Sequence, residues 1–213
     1  MLKVFATVSM AAMLAAPVTA QHVQQPLSSF SQAQKARQDL DFGAVCLLRR
    51  EQDSVKHFLG LYPYSDDASR MSAYLAKNEC IDGSAGPIEL QFSPEIVRGV
   101  LYKALYDRDF ANAASALAPS SPNYAAEAQG QPDSQEYVAT RSFADCVARK
   151  SPAAARALVM ADAESSAELA AVHDLQMDLD PCMTAGKVAP LNRARLAGLL
   201  AEALYRISDK QGG

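Results

Sequence analysis

Two stretches of this chain, Phe42 to Arg108 and Phe143 to Arg206, carry the same order of signals, and each includes two cysteines. Cys46 and Cys146 align without a gap through the following segment, so that Arg49 meets Arg149, Arg50 meets Lys150 and Phe58 meets Leu158. Toward the end of each stretch the offset changes by one. Gly99 then meets Gly198, Leu101 meets Leu200, and Ala104-Leu105-Tyr106 meets Ala203-Leu204-Tyr205. The change of offset falls where loops are expected, and insertions there are cheap. Amphipathic helices share a pattern without common ancestry, but the shared Cys, Gly and Ala-Leu-Tyr positions go beyond pattern and indicate duplication. Two copies are fewer than a solenoid needs, so each half forms its own small bundle or both pack as one.

Each copy reads as three to four short helices. In the first, Phe42, Val45, Cys46 and Arg49 fall at helical spacing, and Asp53 is the expected cap of a second helix carrying Val55, Phe58 and Leu59. Pro63 ends it, and Ser65 or Asp66 opens a third helix that holds Met71 and Leu75 and reaches Cys80. Ile81 to Phe92 reads as a loop, and Ser93-Pro94-Glu95 as a helix start with hydroxyl cap, proline and acid in order. In the second copy Phe143 and Cys146 open a helix, Ser151-Pro152 starts the next, and Ser165 or Ser166 starts a third that closes at Pro181-Cys182. A last helix from about Asn192 carries Leu196, Leu199, Leu200 and Leu204. The expectation is an all-α fold of two duplicated bundles.

The remaining segments divide accordingly. Residues 1–20 have a short positive start at Lys3, an uncharged apolar run from Val4 to Ala16, Pro17, and small residues before Gln21, the order of an export signal. At about 1.5 Å per residue that run is short for a bilayer core of about 30 Å, and no later segment is apolar enough to cross a membrane. Residues 21–38, rich in Gln and Ser, read as a flexible lead. Repeat 1 spans 39–110, a partly ordered Ala/Pro/Ser-rich connector 111–136, repeat 2 residues 137–208, and a tail 209–213. The formal net charge of −4 becomes more negative once Lys3 is removed, which argues against nucleic acid and anionic lipid as partners.

Four cysteines in an exported chain indicate two disulfides, for which three connectivities exist. Duplication of a stapled unit favours Cys46–Cys80 and Cys146–Cys182, each closing a loop of roughly 35 residues worth about 3 to 4 kcal/mol in the chain-entropy account. Structural zinc sites bring cysteines in close pairs, and redox dithiols use CxxC; neither spacing occurs here.

Little else points to chemistry. His22 lies in the lead, and His57 and His173 fall in non-equivalent helices. No HExxH, GxSxG, P-loop, GxGxxG or EF-hand pattern is present, and no cofactor is implied. What recurs is Arg49 and Arg149 one turn beyond a cysteine, and Tyr106 and Tyr205 near the end of the last helix. These are the binding candidates: arginine can hold a carboxylate in a groove rimmed by tyrosine. The plainer role is arginine capping helix-end carbonyls while tyrosine covers the bundle end.

The pattern Phe143-x-x-Cys146-Val147-x-Arg149-x-x-Pro152-x-x-Ala155, a distant Cys182, and Leu199-Leu200-Ala201-Glu202-Ala203-Leu204-Tyr205-Arg206 resembles uncharacterised exported helical proteins of alphaproteobacteria. The first half keeps Cys46, Arg49, Cys80 and Ala104-Leu105-Tyr106 but has Asp53 in place of the proline. The resemblance implies a helical fold and a periplasmic or secreted location, and brings no catalytic residue with it. The leading expectation is a non-enzymatic binding or protein-interaction module whose partner is an envelope protein or small ligand. A hydrolase-like enzyme with acids or His57 or His173 brought together by folding, and an envelope chaperone or inhibitor, are the alternatives.

Overall fold

The computed structural model describes residues 27–81, 93–112, 117–118, 120–183 and 191–209. Every regular element among them is helical: α1 Leu27–Arg50, α2 Gln52–Gly60, α3 Asp66–Ala76, α4 Pro94–Phe110, α5 Tyr124–Glu127, α6 Ser134–Lys150, α7 Pro152–Met160, α8 Ser166–Cys182 and α9 Arg193–Asp209. Helices α1 to α4 form one copy and α6 to α9 the other. The caps follow the sequence signals. Ser65, Ser93 and Ser165 each accept a hydrogen bond from a backbone N–H three residues on, and Pro94 and Pro152 open their helices. The hydroxyl of Ser151 donates instead to Asp178 of α8.

Both disulfides join cysteines within one copy. Cys46 at the end of α1 pairs with Cys80, and Cys146 in α6 with Cys182 at the end of α8, with Cα separations of 5.5 and 5.7 Å. Gly43 makes room for the first. A Cβ there would stand 2.8 Å from Ile81 and 2.9 Å from the Cys80 carbonyl oxygen, so only a hydrogen lets this segment lie against α1.

The halves share one hydrophobic core, which includes Leu47, Phe58, Leu75 and Leu101 of the first copy and Phe143, Leu158, Leu175 and Leu200 of the second. They meet along α4 and α9. At the crossing, a Cβ added to Gly99 would lie 2.6 Å from the Gly198 Cα, and one added to Gly198 would lie 2.8 Å from the Gly99 Cα. The two backbones touch, and the duplicated glycines are what permits it.

Three expectations differ from the structure. The lead is helical from Leu27, because α1 extends well before Asp39. Its anchor comes from the other copy: Arg37 donates to Glu164 at 2.5 Å and to Glu168 at 2.5 Å. The connector is structured over 120–136. Tyr124 and Ala128 pack with Tyr137, Tyr62 and Tyr64 in a second small cluster, and α6 begins at Ser134. Asp53 does not cap α2. Glu51 holds that position, and Asp53 lies in the first turn. Residues 1–20, expected to be an export signal, lie outside the described residues, as does the tail beyond Asp209. No helix among the described residues is long and apolar enough to cross a membrane.

Two outcomes test this architecture. Gly99→Ala and Gly198→Ala each lower unfolding stability by about 2–3 kcal/mol, the upper range for overpacking, since only backbone can yield; urea denaturation of the oxidised protein reads this directly. Peptide mapping without reduction yields linked fragments for Cys46–Cys80 and Cys146–Cys182 only, and replacing both Cys146 and Cys182 with Ala costs about 3 kcal/mol.

Candidate functional site

Three of the four recurring residues, Arg149, Tyr106 and Tyr205, hold the fold together. Arg49 is exposed at the end of α1. Arg149 donates to Asp145 at 2.9 Å and to the Ala118 carbonyl at 2.6 Å, fastening the connector to α6. Tyr106 is buried, and its hydroxyl accepts from Arg156, whose guanidinium also caps the end of α4 at the Phe110 and Ala111 carbonyls. Tyr205 packs against Tyr102 and Phe110 and donates to Asp109 at 3.2 Å. His22 lies outside the described residues, and His57 and His173 are both exposed. His57 lines a shallow depression with Ser54, Asp67, Arg70 and Tyr74, and His173, 80 % exposed, has Asp174 at 3.9 Å. Among the described residues, no cluster of His, Cys, Asp or Glu has the makings of a metal site.

Two further clefts are built by equivalent parts of the two copies. The first, about 410 Å³, lies between the halves. Asp41, Phe42 and Val45 of α1, Val100, Lys103, Ala104 and Asp107 of α4, and residues 159–162 at the end of α7 line it. The second, about 470 Å³, is lined by residues 59–63 at the end of α2, Arg98 and Tyr102 of α4, Tyr137 of α6, Arg206 of α9, and Glu127 and Gln131 of the connector. Residues 59–62 and 159–162 correspond at the offset of 100, and Asp107 corresponds to Arg206 at the offset of 99.

The charges of the two clefts are reversed. In the first, Lys103 donates to Asp41 at 2.5 Å and to the Ala161 carbonyl at 3.0 Å. The equivalent pair in the other copy is Glu202 with Arg141, where Arg141 donates at 3.2 Å. The outward group one turn further on is a carboxylate, Asp107, in the first cleft and a guanidinium, Arg206, in the second. Duplication kept the ion pair and exchanged its ends.

Glu202 is the most demanding of these groups. It is 3 % exposed, and Arg98 and Arg206 stand 3.7 and 3.8 Å from it, beside Arg141. Burial alone pushes its carboxyl up, but the charges of Arg141, Arg98 and Arg206 more than reverse this and hold it below the ordinary carboxylate range. Arg98 also donates to the Phe58, Leu59 and Leu61 carbonyls and so closes the C-terminal end of α2. Arg141 lies 4.6 Å from the Tyr137 ring centre. Burial also raises the hydroxyls of Tyr62, Tyr102 and Tyr137, so around neutrality they remain protonated donors. These buried charges escape a reading based on apolar stripes. The signal that could have exposed them is the exchange of sign between positions 41 and 141 and between 103 and 202, visible once the copies are aligned.

Comparison with protein-family models, curated proteins and solved structures finds no match for this chain.

The buried carboxylate fixes a pH dependence. A lowered folded-state pKa contributes stability that is present above the unfolded value, about 4.3 for Glu, and is lost as pH falls through the folded value. Glu127 and Glu164 are also held low against their own burial, by Arg206 and by Arg37 respectively, and act in the same direction. Stability therefore falls on acidification below about pH 4.3. Glu202→Gln costs about 3–5 kcal/mol at neutral pH, because it leaves buried guanidinium groups without their counter-charge. Its deficit against the parent shrinks as the acid limb is descended, as urea titrations at a series of pH values will read.

Proposed function

We propose that this chain is a non-enzymatic interaction module of an oxidising compartment, periplasmic or secreted, and that the cleft between its halves receives a basic, amphipathic segment of a partner protein. One observation carries the reading. Phe42, 83 % exposed, stands at the mouth of a concave site lined by Val45, Val100, Val159 and Met160. An aromatic side chain left in water beside an apolar cleft is the usual mark of a contact surface.

Charge selects the occupant. Three carboxylates, Asp41, Asp107 and Asp162, line the cleft against one cation, Lys103, which Asp41 already holds. The surplus is negative, and it suits apolar side chains spaced along a helix with lysine or arginine beside them. The two internal disulfides accord with an oxidising compartment, as does the sequence resemblance to exported helical proteins.

The probe is an 18-residue Lys/Leu amphipathic peptide, followed by amide chemical shifts of the oxidised protein. Saturable shifts are expected at Phe42, Val45, Val100 and Val159, with none from the Glu/Leu analogue. Phe42→Ser weakens binding about tenfold, roughly 1.4 kcal/mol for one exposed anchor, without loss of thermal stability, and Asp107→Asn weakens it in a salt-dependent manner. Equal binding of both peptides, or binding indifferent to Phe42→Ser, sinks this assignment.

A further inference from the structure

The second cleft has the opposite character and calls for a different ligand. Its wall is the end of α2, closed by Arg98, and its rim carries Arg206, Gln131 and the tyrosines 62, 102 and 137. Arg206 is only partly committed. Its Nη2 donates to Glu127, while its Nη1 lies 3.8 Å from Glu202, beyond hydrogen-bonding range. Among the described residues no hydrogen bond occupies its Nε, and none occupies the Tyr102 hydroxyl. Beneath it, the buried Arg98 Nε likewise lacks a hydrogen-bond acceptor. Unused donors with protonated phenols and aromatic faces, in a site of about 470 Å³, are what a planar carboxylate engages.

The copy-to-copy comparison adds an independent argument. The half-buried Lys103–Asp41 pair of one copy is answered by the buried Glu202–Arg141 pair of the other, so an ion pair is kept at this place while its polarity is exchanged. What each cleft shows to solvent differs as well: Asp107 in one, Arg206 in the other. The tyrosines are also peculiar to the second cleft, since Tyr102 answers to Ala201 and Tyr62 to Asp162. From these observations we propose that the α2–α4–α9 cleft is a binding site for a small free organic acid, with Arg206 pairing the carboxylate, the Tyr102 hydroxyl donating to it, and the tyrosine rings covering its body. This site is separate from the groove between the halves, so it stands whether or not that groove takes a peptide.

Benzoate is the probe, with benzamide as its neutral counterpart and inorganic phosphate as a second anion, each titrated into the oxidised protein by amide chemical shifts and calorimetry. Saturable shifts are expected around Leu61, Tyr102, Gln131 and Arg206 with benzoate alone. Arg206→Gln weakens binding at least tenfold, and Arg206→Lys weakens it less. Because Arg206 also neutralises Glu127, a second variant guards the test: Gln131→Glu changes only an exposed side chain and weakens benzoate at least threefold by repulsion. Phe42→Ser leaves benzoate affinity unchanged. The proposal is overturned if benzoate gives no saturable shift at tens of millimolar, or if benzamide or phosphate binds as tightly. Full retention of affinity in Gln131→Glu overturns it too.

Discussion

The close crossing of α4 and α9 at Gly99 and Gly198 governs the rest of the molecule. With a hydrogen on each side, the two backbones come into contact, and the apolar faces of both copies fuse into one core rather than two. The crossing also sets where charges fall. One turn beyond each glycine stands Lys103 or Glu202, and one further turn brings Asp107 or Arg206. Both clefts are therefore fixed relative to a point where side chains cannot intervene, and neither depends on a long loop for its floor.

Duplicated architecture usually offers two similar sites. Here the partners were exchanged instead. Asp41 with Lys103 and Arg141 with Glu202 hold equivalent places with opposite sign. A similar substitution of one interaction for another links each first helix to the far copy. Arg37 reaches Glu164 and Glu168, whereas the equivalent Tyr137 packs on Tyr62 and Tyr64. Ionic and aromatic contacts thus play the same part, and the arrangement gives one chain two clefts with different appetites. The cost is local strain. Glu164 sits at a φ of 61°, a backbone region that L-residues rarely occupy, where its carboxylate is held by Arg37 and Arg193.

Much of the fold could be read from the chain because its signals are local or repeated. The caps at Ser65, Ser93 and Ser165 act within one turn, and the cysteine pairing follows from duplication. The beginning of α1 could not be read this way, since its ion-pair anchor lies more than a hundred residues downstream in Glu164 and Glu168. The connector was illegible for a related reason: its alanines and prolines look featureless until Tyr124 finds Tyr137 and Arg206. The clefts were the least visible. Arg98 and Glu202 interrupt apolar runs and read as solvent-facing, although each is buried in a network drawn from three helices.

The disulfides carry a consequence for biogenesis. The first cysteine is bonded to the second and the third to the fourth, and neither bond spans the connector. A chain that meets an oxidant N-terminus first will present Cys46 and Cys80 before Cys146 has emerged, so the order of synthesis coincides with the order of correct linkage. Such a protein can acquire its crosslinks by oxidation alone, with no shuffling step and no dependence on an isomerase.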